Sequence, residues 1–406
     1  MWARTQLKIG WGDLAFGVYR SLLPQDRAKL QQRIEGFWSD KNDALVCFSV
    51  RSGFDLLLRS LNLSPGDEII FSALNVKGMI RIAARQGFVP VPVDLDIDRM
   101  TPLLTKLEAA ITPRTRAIVV AHLYGTLIDL DPIIAIARRH GILFIEDCAQ
   151  VFDGRAYRGH PQSDVCMFSF GPLKTATVLG GAILTVKDAT LLARMRERQA
   201  GYPIQSNGAY LKRCLKFALL KLVTTRPVLG LVGRIAKSTG KDYEDPLSDA
   251  VRNVASLGSK KKLRQRPASG MLALLERRLT QWREGGLDER RAVGRRLQAM
   301  LGSQVRCPGA AAARHSYWVF PVLARNPRRL IQALRQAGFD AADLPRSQSV
   351  AAPPDRPELE PVAARDALKE TVILPCYPGM PEHDLRRQAE IVNAVLADEA
   401  RGASAL

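Results

Sequence analysis

Three side chains suited to covalent and acid–base chemistry follow strand-like segments within one short stretch of the sequence. The apolar run 141–145 predicts a buried parallel strand, and Asp147 follows at its C-terminal end. A second predicted strand, 165–170, ends with the hydroxyl of Ser169, and Lys174 lies in the turn that follows. Because ligands of open α/β sheets bind at the C-terminal ends of the strands, we expect these side chains to meet there.

An acid, a hydroxyl and a lysine at strand ends are the groups that pyridoxal phosphate chemistry requires. The acid keeps the ring nitrogen protonated, the hydroxyl binds the phosphate and the lysine forms a Schiff base. Each residue also has an ordinary interpretation, because strand-end carboxylates often cap helices and loop lysines are usually solvated. The occurrence of all three in one stretch favours a cofactor site.

Strand-like and helix-like segments alternate through the first half of the chain. Strand patterns occur at 44–48, 68–71, 89–93, 116–121 and 182–186, and helix patterns at 25–38, 53–61, 76–86, 103–111 and 130–140. This alternation predicts a doubly wound α/β fold with a mostly parallel sheet. Ser49 or Ser52 can cap helix 53–61, whose N-terminus would then serve as a phosphate seat, although a plain serine cap fits equally well.

The pattern changes after about residue 203. Residues 205–266 contain 14 Lys and Arg against four Asp and Glu, a surplus of ten within a total charge of +19. No stretch there reaches the roughly 18 uncharged apolar residues that a membrane span needs. The segment could lie on an anionic membrane, dock on a partner, or form an ordinary helical pair with solvated lysines.

We predict from these changes in pattern a large domain at 1–204, a basic helical insertion at 205–266 and a smaller C-terminal α+β domain at 267–406. In the last, we expect helices at 267–283, 328–338 and 382–396 and strands at 317–323 and 371–375.

The overall composition is that of a soluble globular protein. The 406 residues are 47% hydrophobic and 24% charged. The six cysteines lack metal-ligand spacing, which predicts reduced thiols in a cytoplasm and no metal site. The N-terminus lacks a signal-peptide pattern, and no helix-turn-helix, RNP or zinc signature indicates nucleic-acid binding.

A series of motifs, taken in order, carries a family resemblance. They are LSPGDEII at 63–70, PVD at 92–94, TPRTRAI at 112–118, HLYG at 122–125, EDCAQ at 146–150, FSF at 168–170 with Lys174, and, more weakly, LPCYPGM at 374–380. Together they resemble the DegT/StrS-type (DegT/DnrJ family) sugar aminotransferases, which are fold-type I enzymes dependent on pyridoxal phosphate.

The resemblance implies a role for each matching residue. Lys174 would be the Schiff-base lysine, Asp147 the partner of the pyridine nitrogen, and Gln150 a neighbour of the phenolic oxygen. A histidine in place of the lysine would indicate a sugar dehydratase, so the lysine favours amino transfer.

The resemblance also implies a phosphate site. Ser169 would bind the phosphate together with the backbone of Arg51 and Ser52, and the Arg51 guanidinium would add a planar donor. The sequence departs from the family in three places. Val76 occupies the position of a ring-stacking aromatic or histidine, VLGG at 178–181 replaces the usual GEGG, and RQRP at 264–267 replaces the usual NYR segment.

We therefore expect a pyridoxal-phosphate-dependent aminotransferase. The donor would be an amino acid such as glutamate, the acceptor a nucleotide-linked keto sugar, and the assembly a homodimer with composite active sites. The alternative is a non-catalytic protein of the same fold that binds an anionic membrane or an acidic partner through 211–266. For both interpretations we expect a cytoplasmic protein. The non-catalytic alternative would also lie peripherally at the membrane.

Overall fold

The computed structural model describes residues 1–4, 6–223, 225, 263–283, 285–343 and 347–403. The strands are β1 (Ala44–Cys47), β2 (Glu68–Ser72), β3 (Leu74–Val76), β4 (Val89–Val93), β5 (Leu95–Asp96), β6 (Thr101–Pro102), β7 (Thr115–Ala121), β8 (Thr126–Leu127), β9 (Leu143–Asp147), β10 (Val165–Ser169), β11 (Ala182–Val186), β12 (Arg314–His315), β13 (Phe320–Leu323), β14 (Ser347–Ser349) and β15 (Thr371–Leu374). The helices are α1 (Trp11–Leu22), α2 (Arg27–Trp38), α3 (Val50–Ser60), α4 (Lys77–Arg85), α5 (Leu104–Ala110), α6 (Asp131–Arg139), α7 (Ala189–Ala200), α8 (Asn207–Val223), α9 (Ser269–Thr280), α10 (Asp288–Met300), α11 (Pro327–Gln336), α12 (Val362–Glu370) and α13 (Glu382–Ala403).

A seven-stranded sheet in the order β1-β11-β10-β9-β7-β2-β4 forms the centre of the molecule. Its strands are parallel except β11, which is antiparallel to both β1 and β10. The central strands are buried on both faces, as their continuous apolar sequences require. The predicted doubly wound, mostly parallel fold is confirmed, and the C-terminal ends of six strands lie at one edge.

Helices cover both faces of this sheet. Helices α3, α4 and α7 pack on one face. On the other face, α1, α2, α8 and α9 cover the β1 side, while α5 and α6 cover the β4 side. Helix α8, which belongs to the described part of the basic segment, contributes Tyr210, Cys214 and Phe217 to the main core.

A second hydrophobic core lies in the C-terminal part of the chain. It joins α10, α11 and α13 to the β13–β15 pair and also takes in Trp2. The chain start is tied to this region by a bond from the Trp2 N–H to the Gly338 carbonyl, 2.8 Å long. The predicted division at 204 and 266 stays a prediction, and most of 205–266 falls at 226–262, outside the described residues.

The structure corrects several predicted elements. Helix α1 was not predicted, because Gly12 and Gly17 lower its helix propensity and apolar residues occur on both of its sides. Helix α10 was missed because it has few apolar residues. The helix predicted over 267–283 ends at Thr280, and the strand predicted over 317–323 begins at Phe320, since Tyr317 has a φ of 47°. Among the helices of the described residues, none is long and apolar enough to cross a membrane.

Candidate active site

The sequence-predicted groups lie at the C-terminal edge of the sheet. Asp147 is the last residue of β9 and Ser169 the last of β10. Ser49 follows β1 and caps α3 by accepting the Ser52 N–H at 3.1 Å, which confirms one of the two predicted caps. Because β1, β9 and β10 run in the same direction, all three groups face one region.

Lys174 closes a tight turn beyond β10. Its N–H donates to the Gly171 carbonyl at 3.0 Å, and its half-buried amine lies 4.2 Å from the ring centroid of Trp318. Burial lowers the pKa of Lys174 to about 8, although the negative charge of Asp147 acts in the opposite direction. About a tenth of the amine is then unprotonated at pH 7, whereas an ordinary lysine would be less than about a thousandth unprotonated. The lysine is thereby prepared to act as a nucleophile or a base.

Asp147 is a buried carboxylate with few partners. It is 7% exposed, and its Oδ1 accepts the Ala149 N–H at 2.9 Å. Burial raises its pKa, while the Ala149 bond and the positive charge of Lys174 lower it. A buried carboxylate in this state favours a cationic N–H donor, which is what a protonated pyridine nitrogen offers.

Three serine hydroxyls lie near the start of α3 and the end of β10. The Oγ atoms of Ser49 and Ser52 are 2.9 Å apart, and the Ser169 Oγ accepts the Gly171 N–H at 3.4 Å. The Arg51 side chain lies so close to Gly78 that a Cβ there would be 2.7 Å from Arg51 Cδ. Hydroxyls, a helix N-terminus and a guanidinium form a donor set that suits a phosphate.

Gln150 and Trp318 are positioned by the segment that follows β7. The Gln150 Oε1 accepts the Tyr124 N–H at 2.7 Å. The next residue, Gly125, has a φ of 97° and accepts the Ser316 N–H at 2.7 Å; a Cβ there would be 2.7 Å from the Trp318 N. Trp318 then donates its indole N–H to the Leu173 carbonyl at 3.0 Å. Glycine is therefore needed at 125 so that the C-terminal region can place Trp318 over Lys174.

Sequence reasoning missed Trp318, and it also missed Asn75. Asn75 is 4% exposed, its Oδ1 accepts the Val76 N–H at 2.7 Å, and its Nδ2 has no partner among the described residues. Val76 itself is 42% exposed and pairs with Ser347 of β14. At this edge of the sheet, Val76 thus provides an accessible apolar surface and Asn75 an unused buried donor.

A buried carboxylate, Glu146, organises the structure next to Asp147. Its Oε1 accepts the His122 Nε2–H at 2.9 Å, the Cys148 thiol at 2.9 Å and the Tyr157 hydroxyl. Its Oε2 accepts the Ser163 hydroxyl at 2.7 Å, together with the His160 N–H at 2.7 Å and the Cys166 thiol at 3.4 Å. Six donors to one carboxylate fix the loop that leaves β9.

His122, Glu146 and Cys148 also have the residue types of a metal site, since their ligand atoms lie within 4.8 Å of one another. His122 Nδ1 accepts the Ile128 N–H at 3.3 Å, so the ring proton is on Nε2 and is donated to Glu146. With both carboxylate oxygens bonded to several protons, the cluster is a hydrogen-bond network.

We expect Glu146→Gln to lower the free energy of unfolding at pH 7 by about 3 kcal/mol, because an amide cannot accept six donors. Burial alone would raise the pKa of Glu146, but bonds from His122, Cys148 and Tyr157 hold it well below its usual range. The ionised group therefore stabilises the fold above its unfolded pKa of about 4.3, and this contribution is lost as the pH falls toward the folded pKa.

Urea unfolding of the parent and of Glu146→Gln at pH 7 and at about pH 3 would measure the difference between their free energies of unfolding. This difference should be smaller at the lower pH. Glu108→Gln is the matched control, since Glu108 is exposed in an ion pair with Arg139 and should change stability by less than about 0.5 kcal/mol. Equal stability of the Glu146 variant and the parent would contradict the network.

The chain is similar in sequence to curated proteins over part of its length. GDP-perosamine synthase of Caulobacter vibrioides is 39% identical over 156 residues, covering 38% of this chain and 42% of that protein. UDP-N-acetyl-3-dehydro-alpha-D-glucosamine 3-aminotransferase of Acidithiobacillus ferrooxidans is 37% identical over 197 residues, covering 48% and 53%. The chain thus spans about half the length of these curated relatives.

A solved structure shows the same fold over the whole chain. The aminotransferase TlmJ from Streptoalloteichus hindustanus matches with a TM-score of 0.68 at 20% identity, covering 98% of this chain and 100% of that one. The model of the DegT/DnrJ/EryC1/StrS aminotransferase family matches residues 26–395. This match takes in the sheet, the Lys174 turn and the C-terminal region that carries Trp318, and the chain therefore belongs to the DegT/DnrJ/EryC1/StrS aminotransferase family.

Proposed function

We propose that the protein is a pyridoxal-phosphate-dependent aminotransferase that moves an amino group from glutamate to a nucleotide-linked keto sugar. The observation that carries the proposal is Lys174, a lysine of lowered pKa within the electrostatic reach of the buried Asp147 at the C-terminal edge of the sheet. The acceptor class rests on the names of the curated relatives, which are nucleotide-sugar enzymes.

The residues present fit the proposed cofactor. When bound, pyridoxal phosphate supplies a carbonyl that exchanges for an amine and a ring that takes up electrons from the substrate carbon. Asp147 would hold the ring nitrogen, and Gln150 would lie near the phenolic oxygen. The phosphate would be held by Ser169, by Ser52 and by Arg51 at the start of α3.

Lys174 would hold and move the proton. Its amine, with a pKa of about 8, can take a proton from a substrate carbon and return it near neutral pH. Trp318 covers one side of the amine, where its ring face stabilises the protonated form and restricts access of water. The Leu173 carbonyl fixes the position of that ring through the indole N–H.

A homodimer in the cytoplasm completes the proposal. Family membership supports two copies with residues of each near the site of the other, as in composite active sites. The alternative function is that of a non-catalytic protein that binds an acidic partner. This function does not explain why Lys174 and the buried Asp147 lie close enough to interact electrostatically.

A half-reaction with glutamate tests the proposal. The purified protein, loaded with pyridoxal phosphate, should absorb in the visible range and lose that absorbance when glutamate is added, with 2-oxoglutarate released. Candidate nucleotide-linked keto sugars should then restore the absorbance, and mass spectrometry should detect the aminated product. Retained cofactor with no response to any amino-acid donor would favour the non-catalytic alternative.

A further inference from the structure

Helices α1 and α8 lie side by side and antiparallel on the outside of the molecule. The Lys221 Nζ, near the end of α8, is 5.8 Å from the ring centroid of Trp11 at the start of α1. At the middle of α1, a Cβ on Gly17 would be 3.2 Å from the Cys214 Sγ of α8. The two helices form one layer, with their inner sides in the main core.

The outer sides of this layer are apolar. Of the eleven large apolar side chains exposed in the described part of the chain, seven are on α1, its C-cap or α8. We define the α1–α8 face as the six of these within the helices, with their exposed fractions: Trp11 (52%), Tyr19 (57%), Leu22 (66%), Leu215 (53%), Leu219 (63%) and Leu222 (54%). Their spacings along each helix are three, four, seven, eight or eleven residues, so each set forms a single stripe. Such a concentration of exposed apolar groups marks an interaction surface.

The charge around this face is positive. Helix α8 contains no acidic residue, and its Lys212 and Lys216 are exposed beside the leucine stripe. On α1, the carboxylate of Asp13 is already paired with Arg277 at 3.3 Å and Arg278 at 2.8 Å. One basic residue of α8 is turned inward, since Arg213 donates to the Leu179 carbonyl at 3.1 Å.

Two neighbouring basic residues lie near the Trp11 end of the face. Arg290 is 7% exposed, and its Nη1 has no hydrogen-bond partner among the described residues. Lys8 lies near it, and burial together with the Arg290 charge lowers the pKa of Lys8 to about 7, although the Glu289 carboxylate acts in the opposite direction. An anion such as a headgroup phosphate would supply an acceptor for the buried Arg290 Nη1.

We propose that the α1–α8 face docks on the surface of an anionic phospholipid bilayer. Leucines would enter the boundary of the acyl region, Trp11 and Tyr19 would lie at headgroup level, and Lys212 and Lys216 would contact anionic headgroups. A two-fold contact between copies would place two sets of these lysines in one interface, to which α8 brings no acidic residue, whereas an anionic surface compensates them. The proposal does not depend on the aminotransferase reaction.

Vesicle cosedimentation at 0.1 M salt tests this docking. The protein should bind vesicles of 70% phosphatidylcholine and 30% phosphatidylglycerol, but not pure phosphatidylcholine, and binding should weaken at least ~10-fold at 0.5 M salt. The variant Leu219→Ser/Leu222→Ser should weaken binding at least ~10-fold, because it removes two of the exposed leucines that would enter the acyl boundary of the bilayer. The variant Lys212→Gln/Lys216→Gln should weaken it by at least about fivefold.

The variant Lys106→Gln/Arg198→Gln is the matched control, because it removes two exposed charges from α5 and α7 and should bind like the parent. All variants are on exposed positions, so thermal unfolding and amino transfer should be unchanged. Equal binding to both vesicle types, binding to neither, or equal weakening by the control would overturn the proposal. A solution dimer that the leucine variant dissociates would also overturn it, because the face would then be a contact between copies.

Discussion

Lys174→Ala is expected to abolish amino transfer, with the rate of the glutamate half-reaction falling by at least ~10⁴-fold, about 5.5 kcal/mol of barrier. Under the proposed function, the variant loses both the covalent attachment point of the cofactor and the amine that moves the proton. Stopped-flow absorbance with glutamate would measure the rate, and borohydride treatment of the loaded parent should label Lys174 alone.

Lys187→Ala is the control for this experiment. Lys187 is exposed just beyond β11, where its amine donates to the Pro161 carbonyl, and its removal should leave the half-reaction within about twofold of the parent. A reducible adduct on another lysine, with the rate maintained in Lys174→Ala, would show that the proton carrier lies elsewhere.

Asp147→Asn should slow the half-reaction by on the order of 100-fold or more, about 3 kcal/mol, while the cofactor still binds. The amide keeps the shape and the bond to the Ala149 N–H at 2.9 Å, but it removes the charge that, under the proposed function, keeps the ring nitrogen protonated. Rapid mixing with glutamate measures the rate of the half-reaction, and equilibrium titration with pyridoxal phosphate measures the affinity for the cofactor.

Asp131→Asn is the matched control. Asp131 is an exposed carboxylate at the start of α6 and does not belong to the candidate active site at the C-terminal edge of the sheet. It should leave both rate and affinity unchanged. An Asp147→Asn protein that reacts at the parent rate would mean that the ring does not need this charge.

The sequence predicted the strand-end groups because their signals are local. Asp147 and Ser169 each follow a short apolar strand, and parallel strands bring such ends to one edge without any knowledge of the remaining packing. Ser49 was recognisable for the same reason, as a hydroxyl immediately before a helix. The fold and the positions of these strand-end groups were therefore predictable from local patterns, whereas Gln150 and Arg51 were proposed from the family resemblance.

The remaining parts of the site depend on contacts that no local pattern encodes. Asp147 was predicted as the strand-end acid, but only the packed structure shows that its neighbour Glu146 accepts six hydrogen bonds in a buried network. Trp318 contacts the Lys174 turn only because Gly125, which has no side chain, lets the segment before β13 pack closely against it. The α1–α8 face was missed for a related reason, since the predicted basic segment gave no indication of its apolar neighbour α1.

The bond between the Trp318 indole and the Leu173 carbonyl joins two residues that are made at different stages of protein synthesis. The two residues are 145 positions apart, so the ribosome completes the whole sheet and its lysine turn long before the tryptophan emerges. A nascent chain that has passed β11 already carries all six of the residues predicted for the cofactor, but without the wall that covers the lysine. The Trp318 wall can therefore form only in the last third of translation, after the C-terminal region that contacts Gly125 has been made.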